Sequence, residues 1–219
     1  MNKCFLKAIP IFFSAAVISF FSFSCSTSEP EITFGFIKLV LYQGEDKKPQ
    51  EQFSFFIMPN DEDGFENLGE LYLYHDKEQL CWQIKSEEWL RYTYDGKDWI
   101  GTRSIAVSEG ILPRGVFRAV LVTKGGERTE RNFTYDGTVR FTFPELEINS
   151  GVYTVNSKWP VNRLVCYDNA GNYISTITLD APSGSISQLK LSSNVSTAAL
   201  WAEDETNFCS AFTDVVPVN

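Results

Sequence analysis

The sequence predicts an all-β protein, built as one or two antiparallel β-sandwich domains that follow a signal peptide. Apolar residues alternate with polar ones at a period of two, as at Val139, Phe141 and Phe143, and this period is typical of strands. Turn signals recur between such runs, and no window of ten residues in the mature chain predicts an amphipathic helix. The turn signals are Asp63-Gly64, Asp95-Gly96, Gly125-Gly126, Asp136-Gly137, Ala170-Gly171-Asn172 and Ser183-Gly184.

The strand pattern continues along the whole mature chain. Short strands about every 8 to 12 residues favour a sandwich or a barrel. A single helical turn is expected at residues 86–89. The candidate strands, in order, are residues 33–42, 52–58, 70–74, 80–84, 90–94, 103–107, 116–123, 129–135, 138–143, 152–156, 164–167, 173–179, 187–191, 197–202 and 208–212.

The first 24 residues predict an export signal. Lys3 and Lys7 form a positive start, and residues 8–23 are apolar except for one proline and three serines. A bilayer span needs about 20 apolar residues, so this run is short for a transmembrane helix and fits the core of a signal peptide. We therefore expect the mature protein to be exported.

The end of this signal carries a candidate lipid-attachment site. The run closes on Ser22-Phe23-Ser24-Cys25, a small residue followed by cysteine, which resembles the lipobox of bacterial lipoproteins in the loose, Phe-rich form of spirochaetes. The resemblance implies cleavage after residue 24, acylation of Cys25, a tether at residues 25–30 and a membrane partner bound through the N-terminal lipid. The chain would then lie on the cell membrane or the outer membrane, facing the periplasm or the cell surface. An ordinary secretory signal with an incidental cysteine, or an uncleaved anchor, remains open.

The acidic net charge of the chain argues against one class of partner, nucleic acids. The chain has 19 basic and 28 acidic residues, which gives a formal net charge of −9. Removal of Lys3 and Lys7 with the signal would make the net charge of the mature chain more negative still, at −11 (17 basic against 28 acidic residues). Nucleic-acid binding needs a basic surface for the phosphates, so this balance argues against it. We expect no nucleic-acid partner.

One stretch resembles the end of fibronectin type III and immunoglobulin-like domains. An aromatic residue, Phe117, follows the Leu112-Pro113 turn into a strand, where the usual tyrosine bonds back to the turn. Phe117 has no hydroxyl and cannot make that bond. Trp82 is a candidate core tryptophan, and the resemblance covers residues 31–136.

A second β-sandwich-like domain is expected at residues 138–219, with the boundary at Asp136-Gly137. The alternative is one sandwich that contains all of the mature chain.

The cysteines leave two alternatives open. Cys4 leaves with the signal and Cys25 is expected to carry lipid, so three remain, which is an odd number. Cys166 and Cys209 are the candidate disulfide pair, with Cys81 left over. The alternative is that these cysteines are buried and pack as small apolar residues.

The sequence offers little for catalysis or for metal binding, and we expect no enzyme activity, no cofactor and no metal. The only histidine, His75, is interpreted as part of a solvated turn. Carboxylate pairs such as Glu87-Glu88 are neighbours in sequence, whereas a glycosidase needs its two carboxylates across a cleft. Asp61, Asp63 and Glu70 match part of a calcium loop around Gly64, but a solvated acidic loop is the preferred interpretation.

An aromatic-rich segment, residues 72–99, is the candidate ligand surface. Tyrosine and tryptophan are enriched at recognition surfaces and stack on sugars. Trp89, Tyr92, Tyr94 and Trp99 are the residues expected to contact a protein or glycan ligand. The alternative is that these rings only pair across strands and cover the sheet.

Two functions follow from these features. We expect a non-catalytic, membrane-anchored lipoprotein of the bacterial cell envelope that acts as a binding, adhesion or scaffold module. The alternative is a carbohydrate- or peptide-binding module that uses residues 72–99. A hydrolase that uses carboxylates is a third, less favoured hypothesis.

Overall fold

The computed structural model describes residues 28–44, 48–108 and 111–218, and the all-β class is confirmed. The predicted signal peptide and Cys25 lie outside the described residues. The longest helices described are single 3-10 turns, one of them the expected turn at Ser86–Glu88. The strands described are β1 (Glu31–Gln43), β2 (Pro49–Asn60), β3 (Leu68–His75), β4 (Leu80–Lys85), β5 (Leu90–Tyr94), β6 (Lys97–Ile105), β7 (Gly115–Thr123), β8 (Arg128–Tyr135), β9 (Glu145–Asn149), β10 (Val152–Asn156), β11 (Val161–Tyr167), β12 (Tyr173–Thr178), β13 (Ser183–Ser185), β14 (Thr197–Asp204), β15 (Cys209–Phe212) and β16 (Val216–Pro217).

A nine-stranded sheet runs through both halves of the molecule. Its order is β12-β11-β14-β15-β1-β2-β6-β5, and β16 adds to the start of β14. Neighbouring strands are antiparallel except β1 and β15, which pair in parallel from Leu39 with Cys209 to Tyr42 with Phe212. This pairing joins strands before and after Asp136-Gly137 in one sheet; the division into two domains at that point stays a prediction.

Two small sheets cover one face of the large sheet. The sheet β4-β3-β7-β8 packs on β1, β2 and β6, and the sheet β13-β10-β9 packs on β11 and β14. Between the large sheet and the sheet β4-β3-β7-β8, the ring of Phe53 contacts Phe117 and Tyr135, with centroid distances of 5.4 and 4.9 Å. The two interfaces between sheets form two separate apolar cores, and each contributing strand buries the side chains of one of its faces there.

Several residues of the resemblance take part in the first core. Phe117 is fully buried, and Trp82 packs at the margin while its Nε1 donates to the Ala106 carbonyl at 2.8 Å. His75 is also buried, which corrects its interpretation as a solvated residue. Its ring packs on Phe117 at 4.7 Å, and its Nδ1 accepts a hydrogen bond from the Glu78 N–H.

Two predicted strands are wrong. Residues 187–191 contain most of a 3-10 turn, Ile186–Leu189. Residues 138–143 alternate as expected but have no strand partner. Their apolar side chains still pack against the core, and Trp159 contacts Phe141 at 5.5 Å and donates to the Thr142 carbonyl. The period of two at these residues therefore reflects burial of alternate side chains and not hydrogen bonding to a neighbouring strand.

The three described cysteines are free, so the candidate disulfide between Cys166 and Cys209 is not formed. Both side chains are buried in the apolar cores, as the alternative interpretation required. Within the described residues, no helix has the length and apolarity that crossing a bilayer requires.

Candidate ligand-binding trough

The second face of the nine-stranded sheet is not covered by the small sheets. Alternation along β1 places Ile37, Leu39 and Leu41 in the core and sends Phe36 and Lys38 to the opposite side. We call this side the open face. It is built from strands of both halves of the chain.

The open face is concave and forms a cavity of about 730 Å³, which we call the trough. Arg103 of β6 and Tyr167 of β11 both line it, although four strands lie between them. In a flat sheet, five strand steps of about 4.8 Å would separate these residues by about 24 Å. Because both line one cavity and the charge of Arg103 reaches the Tyr167 phenol, the two residues lie closer than this, and the sheet must curl so that its two ends form opposite walls.

Aromatic rings line much of the trough. On the wall formed by the first half of the chain, Phe36 and Phe56 stack with centroids 5.8 Å apart, and Tyr92 lies 5.1 Å from Phe56. Near the parallel strand pair, Tyr42 and Phe212 are 6.2 Å apart. The other rings of the lining are Tyr167, Tyr173 and Trp201.

A charged cluster holds Trp201 in place. Lys38 and Arg163 lie over its ring, 5.3 and 5.1 Å from the centroid. The carboxylate of Glu203 bonds to both cations. Burial raises the pKa of Glu203, but the hydrogen bonds and charges of Lys38 and Arg163 outweigh burial, so the pKa is lowered and the carboxylate stays ionised.

Arg103 is the other cation of the trough. Burial raises the pKa of Tyr42, Tyr92 and Tyr167, and the positive charge of Arg103 opposes that rise at all three. The guanidinium therefore lies within electrostatic reach of three phenols on different strands. Among the described residues, no carboxylate forms an ion pair with Arg103.

The structure divides the four candidate ligand residues between the two faces. Tyr92 lines the trough and is paired across strands with Trp99, which packs on Phe36 at 5.7 Å. Tyr94, two residues beyond Tyr92 and so on the same face, is 72% exposed. Trp89 packs against the core instead, and its Nε1 donates to the Ile84 carbonyl at 3.0 Å.

Most of the trough was absent from the sequence-based candidates. Four of its rings lie outside residues 72–99: Phe36, Phe56, Trp201 and Phe212. Trp201 and Phe212 also belong to the second half of the chain. One signal was available: β1 is apolar at both alternating positions, which indicates a strand with two shielded faces.

The acidic loop after β2 is stabilised by its own hydrogen bonds. Asp61 accepts from the Asp63 N–H at 2.9 Å and from the Asn67 side chain at 3.1 Å. Glu70 accepts instead from Tyr72 at 2.6 Å and from Gln83 at 2.8 Å, and the Tyr72 bond raises the pKa of that phenol to about 12. Within the described ranges, no group of three acidic, histidine or cysteine residues is placed to hold a metal ion.

Comparison with known proteins gives weak likenesses. No protein-family model and no curated protein matches the sequence. Among solved structures, the 47-kilodalton lipoprotein Tp47 of Treponema pallidum matches with a TM-score of 0.39 and 10% identity over 85% of this chain and 50% of that one. Latent PorU of Porphyromonas gingivalis matches with a TM-score of 0.32 and 12% identity over 86% of this chain and 20% of that one. The BSP domain of a biofilm-associated protein matches with a TM-score of 0.26 and 13% identity, over 84% and 29% of the two chains. The chain therefore spans half the length of the first of these structures, and is weakly similar to a bacterial lipoprotein and to a biofilm-associated domain.

Proposed function

We propose that this chain is a non-catalytic, lipid-anchored binding protein of the bacterial cell envelope, and that it binds a short oligosaccharide in the trough. The observation that carries this proposal is the uncovered, ring-lined concave face of the nine-stranded sheet. A role in adhesion or as a scaffold would use this same binding step.

The chemistry of the lining favours a sugar. Sugars offer apolar C–H faces to aromatic rings and hydroxyl groups to polar side chains, and tyrosine supplies both partners in one side chain. The lining combines the rings with the hydroxyl of Thr176 and the phenols of Tyr92 and Tyr173. Small-molecule sites span about 300 to 1,000 Å³, so the cavity has room for a few sugar units.

The floor of the trough is poorly suited to a peptide strand. Peptides often bind by adding a strand to a free sheet edge, where main-chain hydrogen bonds supply affinity. The central strands β1, β2, β14 and β15 already have a neighbour on each side for at least part of their length. An extended peptide across their face would find few backbone partners.

A non-catalytic role is supported by the kinds of residue in the lining. Two carboxylates on either side of the scissile bond are the usual requirement for glycoside hydrolysis. The described residues that line the trough include cations, hydroxyls and rings, but no aspartate, glutamate or histidine. The nearby Glu203 is bonded to two cations, so its carboxylate is poorly placed to exchange a proton.

The proposed lipid at Cys25 would fix which end of the molecule faces the membrane. The Ser28 N–H donates to the Asp63 carboxylate at 2.8 Å. Three residues span at most about 11 Å, so the chain itself keeps this loop within that distance of Cys25. An acylated Cys25 would therefore hold the loop close to the bilayer. Along β1, Tyr42 lies about 36 Å from Glu31 at about 3.3 Å per residue, so that end of the trough would point away from the bilayer.

The proposal is tested with the full-length chain in a detergent that has no sugar headgroup, applied to an array of oligosaccharides. We expect binding to a defined subset, and about a tenfold loss of that signal for Tyr92→Ala or Phe212→Ala, because each removes a ring from the trough. Tyr74→Ala is the matched control, since Tyr74 lies on β3 of a small sheet, stacked on Tyr72. The proposal is wrong if no oligosaccharide binds, or if the control variant loses as much signal as the trough variants.

The anchor is tested separately by mass spectrometry of the N-terminal peptide from protein made in a bacterial host that processes lipoproteins. The proposal predicts a peptide that begins at Cys25 and carries acyl chains. An unmodified Cys25, or cleavage at another position, would contradict the anchor and leave the binding proposal to be judged by the array.

A further inference from the structure

We infer that the oligosaccharide in the trough is acidic, and that its carboxylate or sulfate group pairs with Arg103. This inference rests on the proposed function, because it names the chemical class of the ligand at the same site.

The lining has the opposite charge to the protein as a whole. The chain carries 28 acidic and 19 basic residues. Among its described lining residues, the trough nevertheless has two cations, Lys38 and Arg103, and no carboxylate. A concave site lined by one sign of charge concentrates ligands of the opposite sign.

The two lining cations have different surroundings. Lys38 and Arg163 both pair with Glu203, and Arg163 also pairs with Glu205, so the two cations and two carboxylates of this cluster balance one another. Arg103 has no ion pair among the described residues. Other arginines are bonded to acidic groups, as Arg114 is to Glu51 and Arg118 is to Asp76. Arg103 is therefore the trough cation left available for a ligand.

Its position is suited to a ring-stacked ligand. The phenols of Tyr42, Tyr92 and Tyr167 all feel the charge of Arg103. A sugar lying against the rings near Tyr92 or Tyr42 would thus place a substituent beside the guanidinium. The planar guanidinium donates two parallel hydrogen bonds to a carboxylate or sulfate, and such charged bonds are about twice as strong as neutral ones.

The test compares oligosaccharides that differ in charge. An array with neutral, uronate-containing and sulfated oligosaccharides of three to five units is probed with the full-length chain. Titration calorimetry then compares α-1,4-linked trigalacturonic acid with α-1,4-linked galactotriose, which has hydroxymethyl groups in place of the carboxylates. We expect at least tenfold tighter binding of the acid, and a weaker preference at high salt because ions screen the charge.

Variants assign the preference to one side chain. Arg103→Gln should lose about 10- to 100-fold in affinity for the acid and clearly less for the neutral sugar, so the preference for the acid should fall by about tenfold or more. Arg103→Lys should retain part of the preference, because the charge remains and the paired donors do not. Arg128→Gln is the matched control, since Arg128 is exposed on β8 of a small sheet.

The outcomes separate this inference from the proposed function. Binding of neutral and acidic oligosaccharides with equal affinity, or a preference that Arg103→Gln leaves intact, would overturn the inference while the trough remained a sugar site. Binding to no oligosaccharide would overturn both. Retention of only the sulfated or only the uronate class on the array identifies which acidic group pairs with Arg103, and either supports the inference.

Discussion

The two faces of the nine-stranded sheet differ, although the same strands build both. On the covered face, Leu39, Phe53 and Phe55 are completely buried under the small sheets. On the open face, Lys38 and Phe36 keep part of their surface in solvent. The covered face is aliphatic and aromatic, whereas the open face mixes rings with cations and hydroxyls. Alternation in these strands therefore places the residues of the two apolar cores on one face, and on the other a mixture of buried residues, such as Phe56, and partly exposed rings and cations.

Truncation of Phe53 is the strongest test of the covered face. Phe53→Ala should lower the free energy of unfolding by about 3 to 5 kcal/mol, because it leaves a cavity against Phe117 and Tyr135. Phe34→Ala on the open face is the control, since Phe34 is 55% exposed, and should cost less than about 1 kcal/mol. Urea denaturation measures both. Equal losses would contradict the assignment of stability to the covered face.

Glu203 tests the charged cluster on the open face, beside the trough. Glu203→Gln should lower stability by about 1 to 3 kcal/mol at pH 7, because Lys38 and Arg163 lose their shared carboxylate and are only about a fifth exposed. The effect should depend on pH. A carboxyl with a lowered folded pKa stabilises the fold above its unfolded value, here 4.5, and that contribution disappears as the pH falls through the folded pKa.

The difference between the wild type and Glu203→Gln should therefore shrink below pH 4.5, as measured by urea midpoints at pH 7 and at successively lower pH. Glu205→Gln is the matched control, because Glu205 lies 3.6 Å from Arg163 but is 71% exposed. A difference that stays constant with pH, or an equal effect of the control, would contradict the role given to the buried carboxylate.

The two tryptophans Trp89 and Trp99 test the difference between the faces directly, since they lie ten residues apart on opposite faces. Trp89→Phe should cost about 1 kcal/mol of stability through loss of the bond to the Ile84 carbonyl, with little effect on binding. Trp99→Ala should weaken oligosaccharide binding several-fold, since Trp99 supports Phe36. Paired denaturation and titration measurements check this, and a reversed pattern would place the ligand on the other face.

Tyr135 tests the contact between the two halves and should have the smallest effect. Its hydroxyl lies 3.4 Å from the carbonyls of Asn207 and Phe208, beyond Asp136-Gly137 in the chain. Burial raises its pKa, and the phenol stays protonated. Tyr135→Phe should cost about 0.5 to 1 kcal/mol in denaturant unfolding. A loss above about 2 kcal/mol would mean that this hydroxyl contributes more than these long bonds imply.

Much of the fold could be predicted from local pattern, because period-two alternation and turn dipeptides act over a few residues. The same signal failed at residues 138–143, where the alternation reflects packing against the core without a partner strand. Most strand positions were found, but β9, β13 and β16 were missed. The glutamates of β9 hide its short apolar pattern, and Ser183-Gly184 of β13 was interpreted as a turn.

The candidate site was harder to predict for a different reason. Tyr92 and Trp99 were found because they belong to a local aromatic segment. Trp201 and Phe212 were missed because they reach the trough through the parallel pairing of β1 with β15, whose residues are 170 positions apart in the chain. A local pattern contains no information about a pairing at that distance. The trough also depends on curling of the sheet, which brings strands from its two ends around one cavity and is visible only once the strands are assembled.

The most direct measurement is hydroxyl-radical footprinting of the full-length chain, with and without a bound oligosaccharide selected on the array. The ligand should protect Tyr92, Tyr173 and Phe212, which lie on opposite walls and the floor of one trough. Tyr72 and Tyr74, on the small sheet, should react equally in both states. Protection confined to the small sheets, or an unchanged open face in the presence of saturating ligand, would contradict binding in the trough.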